Sequence, residues 1–129
     1  MIFDDRRTLR TVNDATDSNC IKIFLYLAFH QPQEGIRGYV IDKKQLNFDL
    51  NLSRTKFFKT LRWLKENLVV NELKMVGYSD FMLNPYIVMN NGDRDARIAE
   101  WKRRIKLQDD KDKKNRERKR KAELRKQNQ

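Results

Sequence analysis

The sequence predicts an α+β fold, and three observations carry that expectation. Phe57, Phe58, Leu61, Leu64 and Leu68 recur mostly at spacings of three and four behind Ser53, a residue suited to capping a helix. After Asn67 the pattern turns β-like, with Val69-Val70 and Leu73 to Val76, a break at Gly77 to Asp80, then Phe81-Met82-Leu83 before Pro85, which reads as a hairpin. Hydrophobic residues make up 39% of 129 residues, enough for one small core and too few for a membrane protein.

The remaining elements follow in order. Asp17 or Ser18 can cap a helix through Cys20, Ile21, Ile23, Phe24, Leu25, Leu27, Ala28 and Phe29, which Pro32 and Gly35 end. Its apolar residues cover more than one face, as in a helix that is central to a core or also meets a partner subunit. Gly38-Tyr39-Val40-Ile41 reads as a short strand. Asp42, with Gln45 three residues on, has the chemistry of a capping box opening a short helix towards Leu50, and Leu50-Asn51-Leu52 is the turn into the Ser53 helix. Beyond the hairpin, Asn91-Gly92-Asp93 makes another turn, and a helix follows with Ile98, Trp101 and Ile105 at i, i+3 and i+7. The order helix, strand, helix, turn, helix, hairpin between Asp17 and Pro85 is that of a winged helix-turn-helix, here with a C-terminal helix and a basic extension. We therefore expect a domain over 1–107 and a basic, helix-prone or disordered tail over 108–129.

Charge narrows the function. The chain has 29 Lys and Arg against 18 Asp and Glu, a net +11, which on a soluble protein points to a polyanionic partner. Residues 1–90 hold 13 basic and 10 acidic side chains, whereas residues 91–129 hold 16 and 8, so most of the excess belongs to the C-terminal part. Asp109/Lys113, Asp110/Lys114, Asp112/Arg116 and Glu117/Lys121 are acid-first pairs at i, i+4, the order that favours a helix. Between Asp109 and Gln129 only Ala122 and Leu124 are apolar, so the tail should not pack on the domain and should be frayed or disordered in the free protein. It suits an arm that releases counterions from DNA or RNA; the alternative is a solubilising terminus.

Other classes are excluded by what is missing. No apolar run reaches the ~18 residues of a membrane span, and Met1 to Asp5 is acidic rather than signal-like, so the expectation is a cytoplasmic protein with no membrane partner. One Cys (Cys20) and one His (His30) provide neither a disulfide framework within the chain nor a zinc set, nor the His pair with which rolling-circle nickases hold their metal. Cys20 reads as a small core residue, and His30 as a partner for its helix's dipole. Asp109, Asp110 and Asp112 lie among lysines with no core to hold them on a metal. No catalytic constellation is visible; we expect no cofactor and no enzyme.

The functional signal lies on the Ser53 helix. Removing its apolar stripe leaves Arg54, Thr55, Lys56, Lys59, Thr60 and Arg62 facing out, with Lys65 beyond them and Glu66 as the one acid. Arg forks onto guanine, Lys and Thr touch base or phosphate, and the N-terminus capped by Ser53 offers N–H groups to a phosphate. A solvated helix face is the alternative. Lys74, Tyr78 and Asp80 fall near the hairpin tip, where a basic or aromatic residue can touch the minor groove or phosphate; an ordinary solvated hairpin shows the same residues.

From Leu52 to Asp93 the run LSRTKFFKTLRWLKENLVVNELKMVGYSDFMLNPYIVMNNGD resembles the Firmicute plasmid replication protein family of the RepL type, most specifically at Phe81-Met82-Leu83-Asn84-Pro85 followed by Gly92-Asp93. Asn84-Pro85 fits the end of an edge strand, because Pro cannot donate to a ladder. The resemblance implies a winged-helix initiator that binds repeats in its origin and recruits host replication proteins, with Arg54, Thr55, Lys56 and Lys59 as its base-reading face. The expectation is a sequence-specific protein for double-stranded DNA, a homodimer joined through the first helix or the Ile98, Trp101, Ile105 stripe. A transcriptional repressor on the same fold and an RNA-binding or host-protein-binding module remain alternatives.

Overall fold

A computed structural model of the chain describes residues 2–3, 18–89 and 93–128. In chain order these form β1 (Ile2–Phe3), α1 (Ser18–His30), β2 (Tyr39–Ile41), α2 (Lys43–Leu50), α3 (Arg54–Glu66), β3 (Val70–Met75), β4 (Tyr78–Leu83), β5 (Val88–Met89) and α4 (Arg94–Gln127). The architecture is α+β: four helices and a three-stranded antiparallel sheet ordered β2-β4-β3 among the described residues, a layout compatible with the expected winged helix. β1 pairs with β5, Ile2 opposite Met89 and Phe3 opposite Val88. Asp17, Asn91 and Gly92, placed above in a cap and a turn, lie outside the described residues.

β4 is the middle strand, and its alternation divides the molecule. Ser79, Phe81 and Leu83 share one face with Tyr39 of β2 and Glu72 of β3, their ladder partners. Phe81 and Leu83 belong to a core with Ile23, Phe24 and Leu27 of α1, Leu46 and Leu50 of α2, and Phe57, Leu61 and Leu64 of α3. The opposite face carries Asp80 and is reached by Arg104 from α4.

Several sequence expectations change. The hairpin turns at Val76-Gly77, where Gly77 takes the positive φ of 82° that glycine tolerates, and the chain resumes pairing at Tyr78. Ser79 and Asp80 are therefore ladder residues rather than part of the break. Asn84-Pro85 follows the middle strand, not an edge strand: the ladder ends at Leu83, so Pro85 lies past the point where a donor is needed. Gln45 does not close a capping box; its Nε2 donates to Asp49 Oδ1 at 2.7 Å, and Asp42 caps α2 alone by accepting the Lys44 N–H at 3.1 Å.

The end of α3 explains the importance of Asn84. Leu68 sits at φ 56°, and the Leu68 and Val69 N–H groups donate to the Lys65 and Leu64 carbonyls at 3.2 and 3.0 Å, a Schellman closure in which Leu takes the place usually given to glycine. Asn84 secures the strained residue: its Nδ2 donates to the Leu68 carbonyl and its N–H to the Val69 carbonyl, both at 2.9 Å. Gln31 does the same for α1, donating to the Phe81 carbonyl at 2.9 Å and accepting the Leu83 N–H at 3.3 Å.

α4 starts at an Asp93 cap, which accepts the Asp95 and Ala96 N–H groups at 3.0 and 3.3 Å. It runs unbroken past Leu107 to Gln127, so of the helix-prone or disordered tail expected there the structure has helix. From Lys106 to Asn128 every residue is exposed, and the helix there depends on local pairs such as Gln108 donating to Asp112 at 3.1 Å. Trp101 is buried in the chain itself, with Ile98 and Ile105 half-buried beside it, while α1 keeps Leu25 and Phe29 exposed.

The deepest polar contact joins α4 to the sheet. Arg104 Nη1 and Nη2 donate to the two Asp80 oxygens at 3.0 and 3.1 Å, Arg104 Nε donates to Glu100 Oε1 at 2.9 Å, and the Gly38 N–H donates to Asp80 Oδ1 at 2.9 Å. Gly38 has to be glycine, since a Cβ there would stand 2.2 Å from the Phe81 carbonyl oxygen. The Asp80 and Arg104 side chains are 1% and 3% exposed, so removing one strands a buried charge. Arg104→Ala is expected to lower the unfolding free energy by about 3 to 5 kcal/mol in urea titrations. The same change at exposed Arg116 should stay within about 0.5 kcal/mol.

Candidate nucleic-acid interface

The approach to α3 is a three-residue turn. Asn51 occupies the left-handed region at φ 54°, which Asn tolerates, and its N–H donates to the Asn47 and Phe48 carbonyls at 2.9 and 3.2 Å. Ser53 then caps α3, its Oγ accepting the Lys56 N–H at 3.3 Å. These two residues fix where the first turn of α3 begins.

Phe57, Thr60, Leu61 and Leu64 are the buried residues of α3. They form a regular i, i+3, i+4, i+7 set, which corrects the sequence reading at three residues. Thr60 is 2% exposed and belongs to the core face, so it is not available to a partner. Phe58, assigned to the stripe, is 39% exposed, and Leu68 lies past the helix end. Arg54, Thr55, Lys56, Lys59 and Arg62 are exposed, as expected.

The start of α2 adds two cations that the sequence reading passed over. Lys43, Lys44 and Asn47 line a cleft with Arg54, Phe57 and Phe58. Lys43 Nζ and Arg54 Cζ each lie 5.7 Å from the centre of the Phe58 ring, which meets Phe57 edge to face at 5.3 Å. Asn47 Oδ1 is buried there with no hydrogen-bond donor. The signal was the Lys43-Lys44 pair directly after the Asp42 cap. Arg62 borders a second cleft, shared with Lys65, Asp109 and Asp112.

Not every cation on these helices faces outward. Glu72 is buried on β3 and accepts from Lys43 Nζ at 2.8 Å, Lys65 Nζ at 3.0 Å and Ser79 Oγ at 2.6 Å. Lys65, placed with the exposed bases above, is thus held to the hairpin. Burial alone would raise the Glu72 carboxyl, but the bonds from Lys43, Ser79 and Lys65 together outweigh it and hold it down to about 2. One carboxylate therefore connects the start of α2, the end of α3 and the sheet.

The hairpin residues are separated. Lys74 pairs with Ser79 and Tyr78 with Met75, so the exposed Lys74 and Tyr78 side chains leave opposite faces of the ladder, and Val76 at the tip is 96% exposed. Asp80 is not at the tip at all; it is the buried partner of Arg104. Cys20 lies in the core, and the His30 ring engages the Tyr26 carbonyl through Nδ1 at 2.7 Å and stacks on the Tyr26 ring at 4.2 Å. Among the described residues no group of His, Cys, Asp or Glu is placed to hold a metal ion, and no helix is long and apolar enough to cross a membrane.

Compared with known protein families, curated proteins and solved structures, the chain gives no match.

The strut at Glu72 makes this region acid-sensitive. Its folded value of about 2 lies below the ordinary 4.5, so the ionised carboxylate stabilises the fold above pH ~5, and that contribution disappears as pH falls towards 2. Urea midpoints followed from pH 6 down to pH 2 should decline, with on the order of 3 kcal/mol attributable to this group. Glu72→Gln should be less stable at pH 6 and show a visibly shallower decline.

Proposed function

We propose that this chain is a non-enzymatic, sequence-specific double-stranded DNA-binding protein of winged helix-turn-helix type, and that it initiates plasmid or phage replication at an origin. The observation that carries the DNA-binding reading is α3, capped at Ser53 and buried along Phe57, Thr60, Leu61 and Leu64, with Arg54, Thr55, Lys56, Lys59 and Arg62 exposed around the remainder. A helix with one face in a core and a cationic first turn outward can enter the major groove and bring Arg54, Thr55 and Lys56 to base edges. Lys44, exposed at the start of α2, suits the phosphate backbone beside it. Lys74, Tyr78 and the basic surface of α4 beyond Leu107 supply further contacts that position the duplex without reading it. The replication assignment rests on the sequence resemblance at Phe81 to Pro85.

A footprint on the DNA flanking the protein's own gene tests the whole reading. Iterated protected sites near an AT-rich segment are expected of an initiator, and inverted pairs of sites would fit the homodimer read from the sequence. A single palindrome over a promoter would replace initiation with repression. RNA bound as tightly as duplex at equal salt would overturn the duplex assignment.

Arg54→Ala or Lys56→Ala should cost about 1 to 3 kcal/mol on the recovered site and much less on random duplex, without unfolding the protein, because both side chains are exposed. Equal losses on both duplexes would mean that these residues only hold phosphate.

Truncation after Leu107 keeps Arg97, Trp101 and Arg104 and removes the exposed basic helix. The plot of log K against log salt should flatten by about 0.9 for each phosphate that this helix had neutralised, with site preference retained. An unchanged slope would show that this helix does not touch nucleic acid.

A further inference from the structure

Phe58 is a large apolar residue of α3 that lies outside the buried face of its helix. An exposed aromatic ring lies within an otherwise cationic and polar face, four residues after Arg54 and four before Arg62, so the three form one row along the helix. The ring is not loose. It packs edge to face with Phe57, which is 1% exposed and locked in the core, and the cations of Lys43 and Arg54 lie beside it. An aromatic side chain kept outside the core and held from three sides is prepared for an apolar contact at that position.

We propose that Phe58 reads the 5-methyl group of a thymine in the major groove. The inference rests on the DNA-binding reading of α3 and deepens it. Base edges in the major groove present hydrogen-bond donors and acceptors throughout, and their one apolar group is the thymine methyl. Arg54 and Arg62, on either side in the same row, suit guanine or phosphate, while Phe58 has no polar atom to offer either. Stacking on an unpaired base is the less suitable use of this ring, because Lys43 and Arg54 each already lie 5.7 Å from its centre and Phe57 meets it edge to face. Sequence preference is thereby divided along one helix row: cations select by hydrogen bonding and Phe58 selects by burying a methyl.

The test uses the full-length protein and a duplex that it selects from a random-sequence pool. Each thymine of that duplex is replaced in turn by deoxyuridine, which removes the methyl group and leaves every hydrogen-bonding atom in place. At one thymine position the wild-type protein is expected to lose about three- to fivefold in affinity, the value of one buried methyl-sized group. Phe58→Ala should bind thymine and deoxyuridine equally at that position while keeping its preferences elsewhere, and Phe58→Leu should retain part of the discrimination; circular dichroism checks that both are folded. Indifference of the wild-type protein to every replacement overturns the proposal without any variant being needed. Discrimination that survives in Phe58→Ala also overturns it, because another residue then reads the methyl. If no sequence is selected from the pool, the DNA-reading role of α3 fails and this inference falls with it; a selected site that ignores methyl groups leaves that role standing and removes only Phe58.

Discussion

A carboxylate buried in the middle strand sets the terms for the rest of the molecule. Asp80 has lost its water, and a buried charge is tolerable only when it is paired and fully hydrogen-bonded. Arg104 satisfies both oxygens and the Gly38 N–H satisfies one again, so the requirements of a single side chain draw α4, β4 and the approach to β2 to one point. Glu72 plays the corresponding part on the opposite face of the same hairpin, where Lys43 and Lys65 bring in α2 and α3. The sheet has few strands and modest apolar area. It is fixed on each side by an anion whose cationic partners come from the helices.

This arrangement also sorts the cations. Lys43, Lys65, Arg103 and Arg104 are engaged with Glu72, Glu100 and Asp80, and the Arg103 bonds come first among the causes that hold the Glu100 carboxyl down to about 2. Arg54, Lys56, Lys59 and Arg62 are exposed on α3, and the remaining excess is spread along the outer part of α4. The net +11 is thus a poor guide by itself. What matters for a polyanion is which cations the internal carboxylates leave facing water.

Legibility in the sequence followed the physics of each element. The Ser53 and Asp42 caps, the α3 stripe at Phe57, Leu61 and Leu64, and a hairpin around Gly77 were readable because each depends on neighbours in the chain. Thr60 was misread because a hydroxyl counts as polar in a pattern, although its position completes the buried set. Phe58 was misread for the opposite reason. Asp80, Glu72, Arg97 and Arg104 were invisible as interior residues: a charge is assigned to the surface until its partner is known, and Asp80 and Arg104 stand 24 residues apart. Asn84-Pro85 was noticed, but strand order, a property of the whole sheet, decided that it closes a central strand. Of the nine residues assigned to a nucleic-acid face, Ser53 acts as the cap, Thr60 is interior and the others are exposed, Lys74 and Tyr78 on opposite sides of the hairpin.

The long final helix is a cantilever. Its root is the stretch from Arg97 to Arg104, clamped by Asp80 and by the burial of Trp101; Asp109 and Asp112 border the cleft with Arg62 and Lys65, and roughly 35 Å of helix lies beyond Arg104 at 1.5 Å per residue. A rod held at one end magnifies any angular error at the clamp: a tilt of about 10° at the root carries the tip about 6 Å sideways, more than the ~5.4 Å pitch of the helix itself. The fork of Arg104 on Asp80 therefore determines aim as well as stability. Loosening that buried contact would spread the distal positive charges over a wide arc.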